Sequence, residues 1–144
     1  MQVLNFPEFE FQIVEQEQKK LIFDKVRKKF IPLTPEEWVR QHCIEHLNHY
    51  FAIPYSRIAV ERGITALGLN KRFDIVTFNQ LGHANILVEC KAPTVEITQE
   101  TILQAAVYNK TIHSHKMWIT NGVHHVWLES IEGKIQQIPF PTKV

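Results

Sequence analysis

The sequence predicts a mixed α/β domain, a sheet flanked by two helices, from three observations. A capped amphipathic pattern opens at Thr34, and a second helical composition runs from Thr98 to about His113. Around these segments lie short apolar runs bounded by turn residues. In chain order the elements read β, α, β, β, β, α, β, β.

Phe9, Phe11 and Ile13 alternate with Glu10 and Gln12, which predicts an amino-terminal half-buried strand. Leu21-Ile22-Phe23, a basic run and Phe30-Ile31 follow, fitting a hairpin or a strand and loop. In Thr34-Pro35-Glu36-Glu37, Thr34 suits a helix cap, Pro35 the first helical position and Glu37 the closing position of a capping box. Val39, Cys43, Leu47 and Tyr50 recur at helical spacing, so this helix buries one stripe and runs to about Tyr50, before Pro54. Ile58, Val60 and Ile64, then Phe73, Ile75, Val76 and Phe78, read as strands, and Ile86-Leu87-Val88 as a third. Thr98 caps the second helix, which contains Ile102, Leu103, Ala105, Ala106, Val107 and Ile112. Strands around Met117 to Thr120 and Val123 to Leu128 are joined by Asn121-Gly122, a strong hairpin dipeptide.

At 144 residues the chain is expected to form one domain, 1–144, with residues 1–33 an extension and about 34–130 the core. Hydrophobic residues at 44% and charged residues at 22% argue for a packed core and against disorder, a fibre or a disulfide-stapled miniprotein. The formal charge of +1 means that a nucleic-acid partner would have to be held by a local patch. No apolar run approaches the roughly 20 residues that cross a bilayer. Glu8 and Glu10 stand where a secretory signal would be basic and then apolar, so the expected location is the cytoplasm, without membrane contact. Cys43 and Cys90 lack metal-site spacing and are expected to be reduced and buried.

Asp74, Glu89 and Lys91 stand within or beside apolar strand sequence, where a charge is costly unless paired or used. The period of two points Glu89 and Lys91 to one sheet face and Cys90 to the other. A hairpin centred on Leu81-Gly82 would set Asp74 directly across from Glu89. Opposed carboxylates repel unless a cation is held between them, and a hard divalent ion such as Mg²⁺ suits two carboxylates, a main-chain carbonyl and waters. The alternative is a cross-strand network in which Lys91 neutralises both acids. Six basic residues between Lys19 and Lys29 face the single acid Asp24, forming either a phosphate-contacting stripe or a solvated face.

Asp74, fourteen residues, and then Glu89-Cys90-Lys91 resemble the D…(D/E)xK signature of the restriction-endonuclease-like nuclease superfamily. Thr34 to Gln41, Arg72 to Val76, Val88 to Ala92, Gln104 to Asn109 and Thr120-Asn121-Gly122 resemble the amino-terminal nuclease domain of type I restriction enzyme R subunits, over roughly residues 20 to 130. The resemblance implies an αβββαβ core with a mixed central sheet flanked by helices, preceded here by an extra strand or hairpin. It implies hydrolysis of DNA phosphodiesters with Mg²⁺, or Mn²⁺ as a substitute. Asp74, Glu89 and the Cys90 carbonyl would hold the metal, and Lys91 would act on the attacking water and the phosphate. Glu37 could supply a further acid. Gln104 and Tyr108 would orient the site or contact DNA, with ordinary helix packing or surface as their alternative. Lys25, Arg27, Lys28 and Lys29 are the corresponding candidates for holding DNA.

Phe73 stands where Pro precedes the acid in the superfamily, and nothing matches a phosphate-binding loop. Gly63 and Gly68 are followed by Leu69-Asn70 where Gly-Lys is required, so no motor is expected. Glu61 is a further strand acid that could join the site or pair with Arg62. The partner expected is double-stranded DNA, and cutting both strands could require a second copy. A nuclease-fold module that binds DNA or protein without cutting is the alternative. His42-Cys43-Ile44-Glu45-His46 spells an inverted zinc-protease pattern but lacks an obvious third ligand, and the pairs His113 with His115 and His124 with His125 lack further ligands.

Overall fold

The computed structural model describes residues 1–61, 63–66 and 69–140, with the backbone alone for 63–66 and 69–71. Arg62 and Gly68 lie outside the described residues, as do the side chains of Ile64, Leu69 and Asn70.

A three-stranded antiparallel sheet comes first, formed by β1 (Ile13–Gln16), β2 (Lys19–Asp24) and β3 (Lys29–Pro32). Glu17 and Gln18 turn its first hairpin with φ of 51° and 66°, the left-handed pair that matches strand twist. Helix α1 (Pro35–Tyr50) follows, then a 3-10 turn, Tyr55–Arg57, and β4 (Ile58–Val60). The segment read as one strand through Ile64 divides, because β5 (Gly63–Ala66) leaves β4 to form a two-stranded antiparallel ladder with β6 (Leu69–Arg72).

Next come β7 (Ile75–Phe78), β8 (Ala84–Cys90), helix α2 (Gln99–Ile112), β9 (Lys116–Thr120), β10 (His125–Ile131) and β11 (Lys134–Ile138). The main sheet has the order β11-β10-β9-β8-β7-β4. Among the described strands only β8 and β9 run parallel, and α2 supplies the crossover that a parallel pair requires. This is a mixed sheet, as the resemblance implies.

The two sheet faces build two cores. Val39, Cys43, Ile44 and Leu47 of α1 pack on Ile58, Val60, Ile75, Ile86, Val88, Cys90, Trp118 and Trp127. On the other face Val76, Leu87, Met117 and Ile119 meet Ala105 of α2. Cys43 and Cys90 are free and buried, their sulfurs 3.8 Å apart.

The expected single buried stripe on α1 is instead burial all round from Val39 to Leu47. The amino-terminal segment covers the helix's other side. Phe9 and Phe11, expected in a strand, precede β1 and lie on α1, where Phe11 meets Trp38 and His42 and Phe9 meets His42, His46, His49 and Tyr50. Their alternation reflects half-burial against a helix rather than a ladder. The Asn121-Gly122 connection is longer than two residues, since the Asn121 side chain accepts from the amides of Val123 and His124 at 3.0 and 2.7 Å and the strand resumes at His125.

Candidate active site

The ladder between β7 and β8 pairs Ile75 with Val88, Val76 with Leu87 and Thr77 with Ile86. Asp74 and Glu89 stand one residue beyond the last of these pairs, Asp74 in a bend before β7, and their side chains interact. A bulge between Thr77 and Phe78 absorbs the irregularity of the connecting turn. Asp74 Oδ2 accepts from the Cys90 amide at 2.7 Å, and Oδ1 accepts from Arg40 Nη2 at 2.8 Å. Burial first, then the Asp74 charge and a hydrogen bond to Asp74, push the Glu89 carboxyl up to about 8. Glu89 Oε1 is buried without a hydrogen-bond partner among the described residues. Lys91 follows the end of β8, its amide donating to Thr120 O at 2.8 Å, and its charge acts on both Glu89 and Glu36.

Helix α1 presents its first turn to these groups. Thr34 Oγ1 accepts from the Glu37 amide at 3.0 Å, which fixes the helix start. The Glu37 carboxylate does not return to the cap. Its Oε1 accepts from Arg40 Nη1 at 2.6 Å, and its Oε2 accepts from Arg27 Nη2 and Gln41 Nε2, both at 3.1 Å. Glu37 is thus buried and committed to arginines. The helix acid felt by Asp74 and Lys91 is its half-exposed neighbour Glu36, whose carboxyl is raised by burial and then by the Asp74 charge. Sequence reading missed Glu36 and Arg40, although their separation of four places both on one face of α1.

The basic run divides in the fold. Asp24, wholly buried, accepts from the amides of Val26 and Arg27 at 2.8 and 2.6 Å, from Arg27 Nε at 2.8 Å and from Gln41 Nε2 at 2.8 Å. That turn draws Arg27 inward onto Glu37 and Glu61, each at 3.1 Å. Lys25 pairs with Glu45 at 3.0 Å and lies over the Tyr55 ring. Lys28 and Lys29 remain exposed. Glu61 joins the network, accepting from Arg27 on one oxygen and standing 3.4 Å from Arg40 Nη2 on the other.

On α2, Gln104 is exposed and Tyr108 half-buried. The inverted zinc-protease pattern is dispersed. Glu45 is taken by Lys25, Tyr55 and His49, while His42 donates from Nδ1 to Trp38 O at 2.8 Å amid Phe6, Phe11 and Trp38. Among the described residues, no group of three or more His, Cys, Asp or Glu is arranged to hold a metal ion. No helix among them is long and apolar enough to cross a membrane.

Comparison with solved structures finds a protein of Anabaena variabilis ATCC 29413, described as a candidate nuclease of the DUF820 group. It superposes with a TM-score of 0.50 at 13% identity over 95% of this chain and 86% of the other. No curated protein matches the chain. The sequence model for the type I restriction enzyme R protein N terminus matches residues 35–140, which include α1, Asp74, the Glu89-Cys90-Lys91 strand and α2. By that match, the chain belongs to the family of type I restriction enzyme R protein N-terminal domains.

Proposed function

We propose that this domain is a Mg²⁺-dependent nuclease that hydrolyses DNA phosphodiester bonds at a site centred on Asp74, Glu89 and Lys91. The observation that supports this reading best is the approach of the Asp74 and Glu89 carboxyls, with Glu89 Oε1 buried without a hydrogen-bond partner among the described residues. An orphaned carboxyl oxygen beside a second carboxylate suits a hard cation.

Asp74, Glu89 and the Cys90 carbonyl would hold Mg²⁺, or Mn²⁺ in its place, with water completing the shell. Bound there, the metal would polarise a phosphoryl oxygen and lower the pKa of a water molecule. The Lys91 ammonium, whose charge acts on Glu89 and Glu36, is the group that would meet charge developing on the phosphate. Glu36, on which the Asp74 and Lys91 charges act, would be the α1 acid that assists. Gln104 and Tyr108 would meet DNA along α2, and Lys28 and Lys29 would meet its backbone from the small sheet. Cleavage of both strands would engage a second copy of the chain.

Plasmid and linear DNA incubated with Mg²⁺ or Mn²⁺ test the reading. Wild type is expected to degrade both, and Asp74→Ala and Lys91→Ala to abolish the activity. Equal activity in all three proteins overturns the assignment.

A second reading, a module that binds DNA without cutting it, is favoured by one contact, the 2.8 Å hydrogen bond by which Arg40 occupies Asp74 Oδ1. It predicts metal-independent, salt-sensitive binding that weakens when Lys28 and Lys29 are neutralised, with no strand scission.

A further inference from the structure

We propose that Arg40 is the counter-ion kept by Asp74 when no divalent cation is bound, and that it thereby sets the affinity of the site for that cation. This rests on the cation-binding reading above. Arg40 Nη2 lies 2.8 Å from Asp74 Oδ1, 3.3 Å from Glu36 Oε2 and 3.4 Å from Glu61 Oε1. One nitrogen therefore stands among three carboxylates, contributed by α1, the end of β4 and the start of β7. The other terminal nitrogen, Nη1, is held separately by Glu37 Oε1 at 2.6 Å.

This division of labour separates an anchor from an exchangeable contact. Glu37 fixes the guanidinium of Arg40, a residue only 3% exposed, while Nη2 has two further acids within reach if Asp74 is withdrawn. Arg40 Nε is buried without a hydrogen-bond partner among the described residues, so no bond there opposes a small rotation. Asp74 Oδ2 is engaged by the Cys90 amide, which leaves Oδ1 as the oxygen whose partner a cation would replace.

A guanidinium and a metal ion compete for the same carboxylate charge, and the apparent affinity for the metal falls with the fraction of sites in which that carboxylate is available. A purely structural ion pair would not need this surplus of acids. Four carboxylates around one arginine provide places for Arg40 both before and after a cation arrives.

Calorimetric titration of Mn²⁺ into wild type, Arg40→Met and Arg40→Lys tests the proposal without reference to cleavage. The Met variant is expected to bind roughly tenfold more tightly than wild type, and the Lys variant, which keeps the positive charge, to stay close to wild type. Unchanged or weaker binding by folded Arg40→Met overturns the proposal while leaving the cation-binding reading intact. Binding by none of the three overturns both.

Where Arg40→Met does not fold, the wild-type protein gives the answer by NMR. The Arg40 Nε–H resonance, assigned by its absence from Arg40→Lys, is expected to move as Mg²⁺ is added. A stationary resonance while the Cys90 amide responds overturns the proposal.

Discussion

Glu37 divides its carboxylate between two arginines, with Arg40 Nη1 2.6 Å from Oε1 and Arg27 Nη2 3.1 Å from Oε2. Arg40 comes from the same helix and Arg27 from the turn between β2 and β3, so this one side chain joins the small sheet to α1. Its removal takes one anion from each arginine, leaving Arg27 with Asp24 and Glu61 and Arg40 with Asp74, Glu36 and Glu61. Glu37→Ala is expected to lower the unfolding free energy by about 2–3 kcal/mol. Urea denaturation measures this, and a loss below about 1 kcal/mol would show the pairs to be no stronger than surface ones.

Thr34 accepts the Glu37 amide hydrogen bond at 3.0 Å and so aligns the whole first turn of α1. Thr34→Ala is expected to cost about 1 kcal/mol, and Thr34→Ser to recover most of it. Thermal denaturation of the two variants distinguishes a cap from a passive surface residue, for which Ala and Ser would behave alike.

Gly122 has φ of +87°, and a Cβ added there would lie 3.0 Å from both a Leu4 and a Val39 methyl. Two independent penalties meet, backbone strain and overpacking against the amino-terminal segment. Gly122→Ala is expected to destabilise by roughly 2 kcal/mol. Chemical denaturation would contradict this if the variant were as stable as wild type.

His42 and His125 are both lowered from the ordinary histidine value, chiefly by burial. The folded state therefore resists their protonation, whereas the unfolded chain accepts protons near pH 6.5. Their contribution to stability is complete above that pH and is lost as the pH falls below it. The melting temperature is expected to drop between pH 7.5 and 5.5, and to drop less in His42→Gln. Parallel pH profiles for the two proteins would remove His42 from the account.

Local signals made much of this fold legible. The Thr34 cap and the boundary near Tyr50 depend on residues within a single turn, and the observed α1 spans Pro35–Tyr50. Strand periodicity also foretold the pairing of Ile75 with Val88, one residue short of Asp74 and Glu89, whereas the turn is not centred on Leu81-Gly82 as expected: Phe78 pairs with Ala84, and a bulge after Thr77 restores the register. What stayed hidden depended on tertiary placement. Arg27 reads as one member of a basic run, and only the Asp24 turn carries it to Glu37 and Glu61. Strand β11 escaped notice because Lys134, Gln136 and Gln137 give it an exposed, polar edge. Glu36 and Glu37 are adjacent in sequence, and the 100° rotation between successive helical residues separates a half-exposed acid beside Asp74 from a buried one shared by arginines.

Asp74 and Glu89 are proposed to grip a divalent cation together. Anomalous diffraction from a crystal soaked in Mn²⁺ tests it most directly. A peak between the two carboxylates, with Arg40 drawn off Asp74, is the result expected. Clean density there at saturating Mn²⁺, with Arg40 still hydrogen-bonded to Asp74, would contradict it.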